Sequence, residues 1–437
     1  MRPKHIVLFV FSCLVLLGGV CVLFPQQSTL FRWPTLGEVF GKPSEVADTL
    51  VLADTLETIA IQMSFDSLRL DTIVPNHVPD YSYEPDTVFP QAALAAFYRA
   101  LRCADTSVVR VVHYGDSQIE EDRMSSSLRR YLQREYGGGG VGLIPLHQTI
   151  PTLTLSQRLY MNDVMQTTQQ GPKRYMVYGP RSLRRTTNQY GMMGQVAVMN
   201  DSLVAGSEDL ILKLEPMSSK VATDTYFSRI RVFADTTIHY TTSQLEDSTS
   251  SAEIHLSGRG DVYGISLETS MGVMLDNIPM RGCNGNVFTQ MDSMQLATYF
   301  SETHTALIIL QFGGNSIPSA KDESYIRSAV YALRLQVRFL RSCAPNASIL
   351  FIGPSDMLTS IDGELQTYPL IPYMDHLLSQ MARSENIAYF SLYNAMGGRN
   401  SMISWQQKGW AGSDGVHFSR CGAEKAADKL IKWMFPN

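Results

Sequence analysis

Residues 108–118 read VVRVVHYGDSQ. The β-branched run at 108–114 suits a strand buried on both faces. Gly115, Asp116 and Ser117 then break it with turn-forming residues. Residues 122–136 place Met124, Leu128, Tyr131 and Leu132 on one helical face. A strand, a tight turn and a helix open an α/β unit, and the serine falls at the strand's carboxyl end, where open parallel sheets bind their ligands.

Working outward, the same alternation resumes late in the chain. Residues 306–312 read as a strand, and Ile326, Val330, Leu333, Val337 and Leu340 follow at helical spacing. A strand at 348–352, a helix around 374–382, a strand at 387–392 and a closing helix at 422–434 complete the series. Helices between parallel strands imply a doubly wound, flavodoxin-like sheet. The intervening stretch is different. Residues 210–214, 226–233, 253–256 and 262–268 alternate or run β-branched between Thr, Ser, Asp and Gly, which predicts an all-β sandwich module inserted after the first βα unit. The expected organisation is 1–25 membrane anchor or signal, 26–90 polar spacer, 91–148 and 275–437 α/β domain, and 149–274 inserted module.

The chain has 437 residues, 44% of them hydrophobic, and a formal net charge of -5. That composition supports a sizeable core and gives no basic footprint for nucleic acid. Near the start, Arg2, Lys4 and His5 precede residues 6–24, which carry no charge and suit a membrane span. No small-x-small site follows, so an uncleaved anchor is favoured over a cleaved signal peptide. The positive flank puts the remainder outside the cytoplasm, in a periplasmic setting if the anchor lies in an inner membrane. Of six cysteines, Cys103, Cys283, Cys343 and Cys421 lie beyond the anchor, scattered and without a CxxC pair, which argues against zinc and leaves any disulfide pairing open.

Four short blocks carry chemistry. Ser117 is a nucleophile candidate in the turn after the first strand. Asp414 and His417, in Ser413-Asp414-Gly415-Val416-His417-Phe418, are spaced so that the carboxylate can reach one imidazole nitrogen and leave the other to take a proton from a serine. Phe312-Gly313-Gly314-Asn315-Ser316 follows a strand, with an Asn amide suited to a developing oxyanion. Arg281-Gly282-Cys283-Asn284-Gly285-Asn286 supplies a backbone N–H donor. Glu120, Glu121 and Asp122 offer a cation site or, more plainly, an acidic first helical turn. Trp405 and Trp410, shortly before Asp414, are candidates either for a sugar platform or for packing.

The ordered blocks GDS, a Gly-containing turn, GxN and DxxH resemble those of the SGNH (GDSL) hydrolases. The resemblance implies a catalytic triad of Ser117, Asp414 and His417. It also implies an oxyanion hole of the Ser117 amide, the Gly285 amide (Gly282 being the alternative) and the Asn315 side chain, with no metal or cofactor. The first block reads GDSQ where many members have GDSL, and the third GGNS where GxND is common. Residues 115–145, GDSQIEEDRMSSSLRRYLQREYGGGGVGLIP, look like the opening of bacterial peptidoglycan O-acetylesterases, in which a β-sandwich resembling a carbohydrate-binding module is inserted. The implied activity is a serine esterase removing O-acetyl groups from envelope glycan. An O-acyltransferase on the same residues and a non-catalytic glycan-binding protein are the alternatives.

Overall fold

The computed structural model describes residues 90–436 apart from 162–163, 167–174, 180–183, 185–186, 200–208, 218–224 and 247–248. The expected anchor and spacer lie outside the described residues. Among the described residues no helix is long and apolar enough to cross a membrane, and Cys103, Cys283, Cys343 and Cys421 form no disulfide with one another.

In chain order, β1 (Val108–Gly115) leads through a 3-10 turn (Ser117–Asp122) into the helix Ser125–Tyr136. Next come β2 (Gly142–Ile144), β3 (Leu155–Met161), β4 (Val164–Gln166), β5 (Tyr175–Tyr178), β6 (Val196–Met199), β7 (Leu210–Pro216), β8 (Arg229–Ala234), β9 (Ile238–Thr242), β10 (Ala252–Gly258) and β11 (Gly260–Glu268). The chain then alternates again: β12 (Gly272–Pro279), helix Ser293–Glu302, β13 (Thr305–Gln311), helix Glu323–Cys343 and β14 (Ser348–Ile352). A hairpin of β15 (Leu358–Ile361) and β16 (Glu364–Thr367), helix Ile371–Ser384, β17 (Ala388–Phe390) and helix Arg420–Met434 finish the main elements.

One sheet runs β12-β1-β13-β14-β17, parallel throughout. Counting only its own members along the chain, the order is 2-1-3-4-5, the flavodoxin winding, whose switch point lies between β1 and β13. Alternate side chains of β1 feed opposite cores. Val109 and Val111 join Leu128, Leu132 and Leu430 on one face, while Val112 and Tyr114 join Leu333, Val337 and Leu378 on the other. Both faces of β1 are therefore covered, in keeping with its burial along nearly its whole length.

Residues between β1 and β12 build two antiparallel sheets, β4-β3-β7-β10-β9 and β2-β11-β6-β5, with β8 also on β11. Leu212 and Ile254 from one and Ile265 and Leu267 from the other meet in a single buried cluster. The antiparallel pairing begins at β2, earlier than residue 149, and the parallel sheet is rejoined at Gly272, earlier than residue 275. The Gly-rich stretch makes this junction tight. A Cβ on Gly138, at φ 102°, would stand 2.5 Å from the Val273 backbone.

Arg110 points from β1 into the interior, fully buried, and its guanidinium donates to Asp276 at 2.6 Å, to Ser266 at 3.2 Å and to Glu268. Glu268 also pairs with Arg229 of β8 at 2.8 Å. Asp276 belongs to β12, so one cation joins the parallel sheet to the strands that precede it. Removing it leaves two buried carboxylates short of a partner. Arg110→Met is expected to lower stability by about 3–5 kcal/mol in chemical denaturation.

Candidate active site

Ser117 stands just past β1, and the turn that presents it is capped by Asp116, whose Oδ1 accepts the Gln118 N–H at 2.9 Å. From the other end of the chain, His417 reaches the same point. Its Nε2 lies 2.8 Å from Ser117 Oγ, and its Nδ1 lies 2.7 Å from Asp414 Oδ2. Asp414 Oδ1 accepts the backbone N–H groups of Val416 and His417 at 2.9 and 3.0 Å. Burial alone would raise the Asp414 carboxyl. The His417 ring and these two N–H groups outweigh it, leaving the group below the ordinary carboxylate range. An ionised Asp414 holds the proton on Nδ1, so Nε2 is free to accept from the serine hydroxyl. The sequence expectation for Ser117, Asp414 and His417 thus meets a triad geometry.

The loop that carries the histidine is pinned from several sides. Gly412 N–H donates to the His417 carbonyl at 2.8 Å, and Leu358 N–H to the Gly415 carbonyl at 2.9 Å. Ser419 then caps the last helix, its Oγ accepting from Gly422 N–H at 3.2 Å. Gly422 itself lies so close to the Trp410 carbonyl that a Cβ there would be 1.7 Å from its oxygen.

A cavity of about 520 Å³ opens over Ser117, walled by Asp116, Arg281, Gly282, Asn315 and His417. Asn315 comes from the turn after β13, across the switch point from Ser117, as its sequence block implies. Its amide nitrogen donates to Asp116 Oδ2 at 3.1 Å and to the Cys283 carbonyl at 3.0 Å. An entering oxyanion therefore competes with Asp116 for this donor. Burial pushes the Asp116 carboxyl up to about 6, against the Gln118 N–H, the nearby His417 and Asn315, which favour its charged form. Because burial holds its folded-state pKa above the unfolded value, the stability Asp116 contributes falls as pH rises from about 4 to about 6.

Three expectations need correction. Gly285 is buried, with its N–H toward Cys283 Sγ at 3.4 Å, and a Cβ there would run into the Leu333 and Phe312 side chains. It does not face the cavity, whereas Gly282 does. Trp405 is only 2% exposed and packs on Phe418 and Trp410, with its indole N–H donated to the Met396 carbonyl at 3.1 Å. Trp410 packs against the same core with the Lys408 ammonium over its ring. Neither tryptophan lines the cavity. Finally, Glu120, Glu121 and Asp122 precede the helix instead of opening it, and Glu121 and Asp122 take positive φ of 59° and 62°. Glu120 holds Arg281 through two hydrogen bonds of 2.7 and 2.6 Å, and Asp122 holds Arg129. Among the described residues no group of His, Cys, Asp or Glu is arranged to hold a metal ion.

No family model matches this sequence, and no curated protein matches it. Among solved structures, one described as a peptidoglycan O-acetylesterase in action aligns with 78% of this chain and 94% of its own, at a TM-score of 0.60 and 22% identity. This is a fold of the SGNH hydrolase type. A lipase/acylhydrolase from Enterococcus faecalis aligns over 37% of this chain and 75% of its own, at a TM-score of 0.27 and 16% identity. An acetylxylan esterase from Geobacillus stearothermophilus, a catalytic mutant, covers 38% and 73%, at 0.27 and 14%.

Sequence reasoning passes over Gln118 and Arg123, whose side chains touch the histidine loop. The signal for Gln118 is the GDSQ block itself, where the GDSL hydrolases that it resembles often have Leu. Three outcomes follow. Asp414→Asn, which loses the tautomer control, is expected to lower kcat on an aryl acetate by roughly 10⁴-fold, and Asn315→Ala by roughly a hundredfold. Trp405→Ala is expected to cost about 3–5 kcal/mol of stability in thermal unfolding, with KM unchanged.

Proposed function

We propose that this chain is a serine esterase that removes O-acetyl groups from cell-envelope glycan, peptidoglycan foremost. The observation that carries the reading is the Ser117–His417–Asp414 chain of hydrogen bonds, 2.8 and 2.7 Å, at the mouth of a cavity. In the first half-reaction His417 Nε2 takes the Ser117 proton as Oγ bonds to the acetyl carbonyl carbon. The carbonyl oxygen gains the negative charge and is met by the Ser117 N–H, the Asn315 amide and the Gly282 turn. His417 then returns the proton to the departing sugar oxygen, leaving acetyl-Ser117. Water repeats the sequence, giving acetate and the free serine.

Support for a polymeric substrate comes from the surroundings of the triad. A second cavity of about 570 Å³ adjoins the first and shares Glu120, Glu121 and Arg281 with it. Its farther wall is drawn from Ile144, Thr152 and Gln195, in and beside the antiparallel sheets. An acetyl group alone needs far less space than two adjoining cavities of ligand size. The strained backbone of Glu121 at their junction belongs to the type of residue that functional sites retain. The near-complete coverage of a peptidoglycan O-acetylesterase structure supports the same substrate class. On this reading the antiparallel sheets form a sandwich module that helps hold the glycan, and residues 6–24 anchor the protein outside the cytoplasm.

The test is acetate release by the chain beyond the anchor, from an aryl acetate and from O-acetylated peptidoglycan. Wild type is expected to hydrolyse both and Ser117→Ala neither. Equal release by Ser117→Ala overturns the assignment, and transfer of acetyl to added sugar with no free acetate replaces hydrolase with acyltransferase.

A further inference from the structure

We propose that Gln118 is a positioning residue that holds His417 in register with Ser117 by gripping the backbone on both sides of the histidine. Gln118 follows the nucleophile directly, and the residue is only 8% exposed. Its amide nitrogen donates to the Val416 carbonyl at 2.6 Å and to Ser355 Oγ at 3.3 Å. Its amide oxygen accepts the Phe418 N–H at 3.4 Å. Both amide hydrogens and the carbonyl oxygen are thus engaged, and two of these three partners are the residues flanking His417.

Arg123, at the end of the same turn, completes the grip. One guanidinium nitrogen donates to the Phe418 carbonyl at 2.8 Å, another to the Ser117 carbonyl at 2.9 Å, and the third to the Glu120 carbonyl at 3.1 Å. Two side chains of the nucleophile turn therefore hold three backbone groups of the histidine loop across about three hundred residues of chain.

The need for such a grip follows from exposure. The side chains of His417 and Asp414 are 39% and 51% exposed, so core packing does not hold them. Their loop is anchored beyond the base by Phe418, buried against Trp405. A displacement of about 1 Å at a catalytic group can cost about a hundredfold in rate. A leucine after the nucleophile, the commoner residue of the family, offers neither a donor to Val416 nor an acceptor to Phe418. In this chain the departure at Gln118 replaces an apolar contact with directional ones.

The proposal rests on the esterase reading only for Ser117 as nucleophile, and the test avoids the glycan. The probe is a fluorophosphonate, whose attachment to Ser117 needs the histidine base and no sugar. Gln118→Met keeps the length of the side chain and removes its hydrogen bonds, and Gln118→Leu provides a second packing solution. Each is expected to slow labelling and kcat on an aryl acetate by about tenfold to a hundredfold with KM unchanged. In a His417→Ala background the same substitution is expected to change the residual rate by less than about twofold, because its effect passes through the base. Unaltered labelling in the folded single variants overturns the proposal, as does an equal loss in both backgrounds, which a general weakening of the fold would produce. Absence of Ser117 labelling in wild type overturns the esterase reading itself.

Discussion

A guanidinium with no access to water governs the way this molecule is joined. Arg110 sits in the strand that leads to the nucleophile, and its charge is tolerated only because Asp276 and Glu268 approach it from two other strands. Asp276 lies on the neighbouring parallel strand, whereas Glu268 ends the last antiparallel strand before it. Displacing either strand would strand a charge in the interior. The Leu143 N–H also donates to Asp276 at 2.8 Å, so the first antiparallel strand is drawn into the same arrangement. The position of β1, and with it of Ser117, is thus bound to the seating of the intervening sheets.

That network also explains which parts of the fold were legible in the sequence. Strands such as β13 and β14 are unbroken apolar runs, and the long helix repeats its apolar residues every three or four positions; these are strong periodic signals. β12 is obscured because Asp276 and Asn277 interrupt it, and a buried carboxylate makes sense only beside an arginine more than one hundred and fifty residues away. The helix after the nucleophile starts at Ser125, later than its acidic residues suggest, because Glu121 and Asp122 adopt left-handed backbone that no local preference foretells.

The triad was legible for a different reason: each block is a turn at the edge of a strand or helix, and turn residues carry their own local grammar. Gly285 and Gly282 could not be separated in this way, since an irregular loop has no periodicity to say which amide faces the ligand. The same holds for the tryptophans. Nearness in sequence to His417 says nothing of which side of the loop an indole occupies, and Trp405 spends its apolar surface on Phe418 and Trp410.

The two partners of the reacting pair, 300 positions apart, enter the world at different times. At a synthesis rate of roughly 5–20 residues per second, the serine leaves the ribosome on the order of 15–60 s before the histidine. Throughout that interval the emerging polypeptide carries an inert alcohol in place of an activated one. On the proposed chemistry, the hydroxyl of Ser117 gains its base only once the loop that carries His417 has been made and seated beside it.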